Sequence, residues 1–249
     1  MEQTKPTFPT EEVTLPSKGL LYPKTSLLSK GVVEMKYMTA KEEDILTNQN
    51  YIKNGTVIDK LLQSLVITDI NFSELLVGDK NAILIAARIL GYGSDYSFKY
   101  KEEEIKVDLT NIEDKSLDES LVTEGKNEFY YTLPKSKTEV TFKILTHGDE
   151  KAINNEVKGL KKINKNNSSE TTTRMKYVIT SINGDREKKT IREYVDNQLL
   201  AMDSRALRNY ISDFQPNIDL QFDYEDNNGD FIRVDIPIGL NFFWPDAAI

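Results

Sequence analysis

The apolar positions of the chain change period several times, and each change marks an element. The densest stretch is Gly78-Asp79-Lys80-Asn81-Ala82-Ile83-Leu84-Ile85-Ala86-Ala87-Arg88-Ile89-Leu90-Gly91-Tyr92-Gly93. A helix that is apolar nearly all round is a buried one. Asp79 is placed to cap it, Arg88 suits the negative end of its dipole, and Gly91 offers a left-handed turn to stop it. At about 12 residues it is too short to cross a bilayer. The pattern predicts the central core helix of a soluble domain.

Ahead of it, Val32 to Met38 alternates like a strand. Thr39, with Glu42 three residues on, reads as a capping box opening a helix whose apolar face is Ile45 and Leu46. After Asn54-Gly55, a second helix over 56–67 carries Val57, Ile58, Leu61, Leu62 and Leu65. Residues 39–91 therefore form a compact helical unit.

The period then becomes two. Tyr96, Phe98 and Tyr100 alternate, as do Ile105, Val107 and Leu109, which predicts a hairpin with a charged tip. A short helix is expected around Leu117 to Val122. Phe129 to Leu133 and Val140 to Leu145 read as another strand pair, completing a β-rich insert over 96–145. Helical spacing returns over 149–212. One helix runs from His147 to about Lys162, with Ile153, Val157 and Leu160 on one face. Thr172 opens another, carrying Met175, Val178, Ile179 and Ile182 and stopped by Asn183-Gly184. Ile191, Tyr194, Val195, Leu199 and Met202 mark a third, and Ser204 caps a fourth with Leu207, Tyr210 and Ile211. A hairpin and tail occupy 218–249, with Pro237 arguing for an edge strand. The fold class is α+β: a helical core, antiparallel hairpins and a further helical segment, all within one domain over 37–249.

Residues 1–36 read as an extended Pro-rich arm, since Pro6, Pro9, Pro16 and Pro23 exclude helix and central strand. Within it, Leu15-Pro16-Ser17-Lys18-Gly19-Leu20-Leu21-Tyr22-Pro23 joins turn formers to four large apolar side chains. Such a segment clamps onto its own domain or docks on a partner. The tail Asn241-Phe242-Phe243-Trp244-Pro245 poses the same choice, because three adjacent aromatics cannot all face one side of a strand. They are covered by the chain's own helices, with Tyr194, Val195 and Met202 offering a face, or by another subunit. The candidate partner-binding residues are Leu15, Pro16, Lys18, Gly19, Leu20, Leu21, Tyr22, Pro23, Phe243 and Trp244.

The formal net charge of -8 gives no global attraction to nucleic acid or anionic lipid. Absence of cysteine excludes disulfides and thiolate metal sites and fits a reducing compartment. With no signal-peptide core and no long apolar run, the expectation is a soluble cytoplasmic product. His147 is the single histidine, so a zinc site or histidine pair has no basis, and it reads as a helix-start residue. Gly91-Tyr92-Gly93-Ser94 follows a helix, whereas phosphate-binding loops precede one. The carboxylates of Glu102 to Glu104 and of Asp223 to Asp230 fall at hairpin tips, where water solvates them. The second group lacks the frame and the final Glu of a calcium loop. Lys158, Lys161, Lys162 and Lys165 are interleaved with Asn rather than with the aromatics of a single-strand binder. No catalytic residue, metal or cofactor is expected, and the expected partners are proteins.

Four stretches together carry a resemblance: the Leu15 to Pro23 segment, Met38-Thr39-Ala40-Lys41-Glu42-Glu43-Asp44-Ile45-Leu46, Gly78 to Asn81 with Arg88 and Gly91 to Tyr96, and Phe242-Phe243-Trp244-Pro245. In this order they resemble the T4-like bacteriophage baseplate hub assembly protein family. Length and Lys/Asn-rich usage look most like its hub assembly catalyst branch, where "catalyst" means a factor that promotes joining of subunits. The likeness is densest over 13–100 and thin over 110–215. It implies a non-enzymatic assembly factor for the central hub of a contractile tail, acting on other hub and tail assembly proteins in the host cytoplasm. The alternative within the same family is a permanent structural subunit residing in the virion baseplate. An enzyme or metal-binding protein is the third class, and the residues offer it no constellation.

Overall fold

A computed structural model of the protein describes residues 9–101, 103–115, 117–163, 169–225 and 229–243. Pro6, Glu102, Lys165, Asp226, Trp244 and Pro245 lie outside the described residues. Strands β1 (Thr10–Thr14) and β2 (Val32–Lys36) precede helices α1 (Ala40–Leu46), α2 (Gln49–Asn54), α3 (Val57–Leu65) and α4 (Val77–Tyr92). A hairpin of β3 (Asp95–Tyr100) and β4 (Glu103–Asp108) leads to β5 (Asp114–Lys115), β6 (Phe129–Thr132) and β7 (Glu139–Phe142). Then come α5 (His147–Ile163), α6 (Glu170–Val178), β8 (Ile179–Ile182), α7 (Lys188–Asn197) and α8 (Ala201–Phe214). The last strands are β9 (Asn217–Ile218), β10 (Gln221–Glu225) and β11 (Phe231–Asp235). All the described ladders are antiparallel, and the fold is α+β.

Helix α4 is the buried centre that its sequence predicts. Ile83, Leu84, Ile85 and Ala87 are buried in the core cluster. Its ends differ from the expectation. Leu76 stands at the N-cap in extended conformation, and Asp79 lies in the first turn, fully buried. At the other end Gly91 remains helical and Gly93, at φ 83°, terminates the helix. Gly78 allows Pro216 to press against α4: an ideal Cβ there would lie 1.9 Å from the Pro216 carbonyl oxygen.

Residues 9–36 are not an appendage, which corrects the reading of 1–36 as an extended arm. Leu15, Leu21, Tyr22, Leu28, Val33 and Met35 belong to the same core as α4. β1 and β2 pair from Thr10↔Lys36 to Thr14↔Val32, and Ile67 N–H donates to the Glu34 carbonyl at 2.8 Å. Proline excludes helix and central strand, but it does not exclude tight turns that fold back on a core.

Three further expectations change. Ile179–Ile182 is a strand, not the end of a helix. Its residues satisfy helical spacing, yet the β-branched run Val178-Ile179-Thr180 favours a strand and β7 offers an open edge. The Thr141 hydroxyl meets those of Thr180 and Ser181 at 2.7 Å across that pairing. Next, Ile191 to Met202 is split between α7 and α8, with Leu200 extended between them and Met202 exposed. The start of α8 is set by buried Asp203, which accepts the Lys135 and Ser136 N–H groups at 2.7 and 2.9 Å. Ser204 is therefore inside a helix and not its cap. Finally, the segment around Leu117 to Val122 makes only a 3-10 turn, over Glu119–Leu121.

The hairpins β3–β4 and β10–β11 face one another through aromatic rings. Phe98 meets Phe222 edge-on at 5.9 Å, and Tyr100 meets Tyr224 at 6.3 Å. Phe242 abuts Tyr96 at 4.9 Å. The tail aromatics Phe242 and Phe243 are thus covered from within, with Tyr96 as a neighbour of Phe242 in place of the proposed α7 face.

Candidate functional site

The segment Leu15 to Pro23 folds as a chain of tight turns. Lys18 N–H donates to the Leu15 carbonyl at 2.8 Å, and Leu20 N–H donates to that of Ser17 at 3.0 Å. Lys18 and Gly19 both take positive φ, at 50° and 77°. A Cβ at Gly19 would lie 2.4 Å from the Ser29 carbonyl oxygen, so glycine is required there.

The turns present two side chains to Asp79. The Ser17 N–H and hydroxyl donate to its Oδ1 and Oδ2 at 2.9 and 2.7 Å. The Tyr22 hydroxyl donates to Oδ2 at 2.5 Å and accepts the Leu76 N–H at 2.9 Å. One phenol thereby closes the N-terminus of α4 and holds its buried carboxylate. Burial pushes the Asp79 pKa above the ordinary carboxylate range, while the Tyr22 and Ser17 hydrogen bonds pull against it. Burial and then the Asp79 charge push the Tyr22 hydroxyl well up, so it remains a donor.

This geometry redistributes the candidate partner residues. Leu15, Pro16, Gly19, Leu21, Tyr22 and Phe243 are buried within the domain. Leu20 is half-buried, and its carbonyl accepts the Gly125 N–H at 2.8 Å. Lys18 and Pro23 are exposed, with Lys18 reaching Glu119 at 2.7 Å. Trp244 lies outside the described residues. The segment is a clamp on its own helix, with a narrow exposed rim.

Sequence spacing finds Glu42 as a capping-box residue but misses its burial. Its Oε2 accepts the Thr39 N–H at 2.9 Å, as the box requires. Its Oε1 takes the Lys36 ammonium and the Ser64 hydroxyl, each at 2.7 Å. Burial alone would raise its pKa, but Lys36, Ser64 and Thr39 together lower it to about 2.

His147 begins α5, as expected, and is engaged on both ring nitrogens. Nδ1 lies 3.1 Å from the Lys80 ammonium and Nε2 lies 3.0 Å from Asp59 Oδ1. An ammonium is a donor, so Nδ1 accepts and Nε2–H donates to Asp59. Burial opposes ionisation of Asp59, but His147 and Lys80 outweigh it and hold the carboxyl well below its usual range. No ring nitrogen is left to act on a substrate. Among the described residues, no three His, Asp or Glu side chains are grouped to hold a metal ion. No described helix is long and apolar enough to cross a membrane.

A cleft of about 1020 Å³ runs along β3 and the segment 237–242. Arg88, 2% exposed, lines it. Its Nη1 and Nη2 donate to the carbonyls of Gly93 and Asp95 at 2.7 and 3.0 Å, and its Nε has no partner among the described residues. No carboxylate of the described residues pairs with it. The Tyr92 and Tyr96 rings lie 5.4 and 5.8 Å from the guanidinium carbon. Burial lowers the Arg88 pKa, opposed by Tyr96, Tyr92 and the nearby but unbonded Asp95 carboxylate, and arginine remains charged.

No family model matches the chain, and no curated protein or solved structure matches it. The four stretches that carry the sequence resemblance do meet in space. Leu15 to Pro23 is tied to Asp79 by Ser17 and Tyr22. Gly91 lies against Met38, whose Cε would be 2.9 Å from an added Cβ. Phe242 packs on Tyr96. Residues distant in sequence thus frame one helix, α4, and its exit.

Proposed function

We propose that this chain is a non-enzymatic assembly factor for the central hub of a contractile phage tail baseplate, working by protein–protein contact in the host cytoplasm. The observation that carries the reading is that the first two stretches meet the third on α4, while the last, through Phe242, meets Tyr96 just past its exit. Motifs scattered over more than two hundred residues of sequence have a common structural reason, as residues that specify one frame. The resemblance of these stretches, together with their placement around one helix, is the support for the proposed role. The acidic charge favours protein partners over nucleic acid. Because the Leu15 to Pro23 clamp is mostly buried, partner contact falls to exposed surface such as its Lys18 and Pro23 rim.

The test has two arms. Tagged chain should capture hub proteins when mixed with individual purified tail proteins, and finished tails should lack it or hold it in far less than stoichiometric amount. Stoichiometric presence in finished tails would make it a permanent hub subunit. Failure to bind any tail protein, with normal hub formation in its absence, would overturn the baseplate role.

A further inference from the structure

The cleft beside Arg88 has chemistry that the fold itself does not use. Its long wall is β3, one strand of a two-stranded ladder whose other edge no described strand covers. The register tells which backbone groups face that edge. Ser94 O accepts the Leu109 N–H at 3.0 Å just before β3 begins, and bonded and non-bonded pairs alternate along an antiparallel ladder. Tyr96, Phe98 and Tyr100 therefore turn their N–H and C=O groups to β4, while Asp95, Ser97 and Lys99 turn theirs outward. The Asp95 carbonyl is accordingly free to take Arg88 Nη2. Residues 95 to 99 all line the cleft. Alternate side chains of a strand point to opposite faces, so five consecutive lining residues mean that the cleft follows the strand's edge.

At one end of this edge sits the buried Arg88 guanidinium, bonded to two neutral carbonyls, with Nε unpaired and no carboxylate partner among the described residues. A buried charge is stabilised by an opposite charge, and arginine matches a carboxylate in a planar, two-point geometry. Asp95 and Glu104 are exposed at the rim, and exposed Lys99 lies opposite Glu104 in the ladder. Tyr96 and Phe242 add an apolar wall.

We propose that this cleft binds an extended peptide segment of a partner protein by strand addition to β3, with an Asp or Glu side chain of that segment on Arg88. The outward groups of Ser97 and Lys99 supply main-chain hydrogen bonds, and Arg88 selects the acidic residue. About five residues fit, since a strand rises about 3.3 Å per residue and five residues of β3 form the wall. The proposal does not depend on the baseplate reading, and its test uses no phage component.

The experiment selects random displayed heptapeptides on the immobilised full chain and then synthesises the enriched sequences. Expected are peptides carrying Asp or Glu that slow hydrogen exchange at the Ser97 and Lys99 amides. Replacing the peptide's acid by its amide, or Arg88→Gln in the protein, should weaken binding about tenfold or more, as losing a charged hydrogen bond does. Ser97→Pro removes one outward N–H, leaves the β3–β4 ladder intact, and should abolish binding with the melting temperature kept. That variant decides the matter even if Arg88→Gln does not fold. No enrichment, enrichment without an acidic residue, or binding indifferent to Ser97→Pro overturns the proposal.

Discussion

Removing the Tyr22 hydroxyl tests whether the turn segment is a structural clamp. Tyr22→Phe keeps the ring and its packing, so no cavity opens. It deletes one hydrogen bond to the Asp79 carboxylate and strands the Leu76 N–H, both in fully or nearly fully buried surroundings. A hydrogen bond to a charged group contributes about 1.5–3 kcal/mol, and leaving a buried donor unsatisfied costs about 1–3 kcal/mol. The expected loss is about 3–5 kcal/mol, a large share of the roughly 5–15 kcal/mol typical of a domain. For a chain of this length that lowers Tm by roughly 6–20 °C. Urea unfolding followed by circular dichroism gives the free energy, and Asp79→Asn completes a double-mutant cycle in which Tyr22 and Asp79 should couple strongly. A Tyr22→Phe protein within about 1 kcal/mol of the parent, or additive with Asp79→Asn, would refute the clamp.

Other substitutions probe further contacts of the fold. Glu42 ionises at about 2 in the fold against an ordinary 4.5, so its charge stabilises the native state by roughly 3 kcal/mol above pH 4.5 and loses that effect as pH falls toward 2. Glu42→Gln should be less stable at pH 7, with the gap closing between pH 4.5 and 2; a gap constant with pH would contradict an ionised Glu42. Gly78→Ala should be insoluble or lose several kcal/mol by denaturant titration, because the Pro216 carbonyl occupies the space for a methyl. Lys18→Ala should change stability by less than about 1 kcal/mol, since its pair with Glu119 is solvent-exposed, and so any effect on tail assembly would report partner contact at the rim.

Local periodicity made much of the fold legible. The alternation of Tyr96, Phe98 and Tyr100 gave a strand, the Thr39 and Glu42 pair gave a helix start, and the apolar run from Ala82 to Leu90 gave the buried helix. What periodicity does not encode is the partner at long range. Asp79 sits where a cap is common, and its real role depends on Ser17 and Tyr22, 57 to 62 residues away. The cue was a carboxylate in an otherwise apolar helix, matched by two hydroxyls among the turn formers of the first segment. Ile179 and Ile182 fit the helical period, and the β-branched run Val178-Ile179-Thr180 with the free edge of β7 overrode it. The unpaired Nε of Arg88 has no sequence signature, because pairing is a property of the fold around it.

The clamp also orders events during synthesis. Ser17 and Tyr22 leave the ribosome 57 to 62 residues before Asp79. At about 5–20 residues per second the apolar turn segment therefore waits roughly 3 to 12 s for its helix. Tyr96 waits longer for Phe242, some hundred and forty-six positions downstream. A nascent chain released before α4 leaves the turn segment exposed, and one released between β3 and Phe242 leaves Tyr96 without that ring. Each kind of fragment leaves open the apolar surface that invites aggregation, so the fold is secured only once Phe242 has been made.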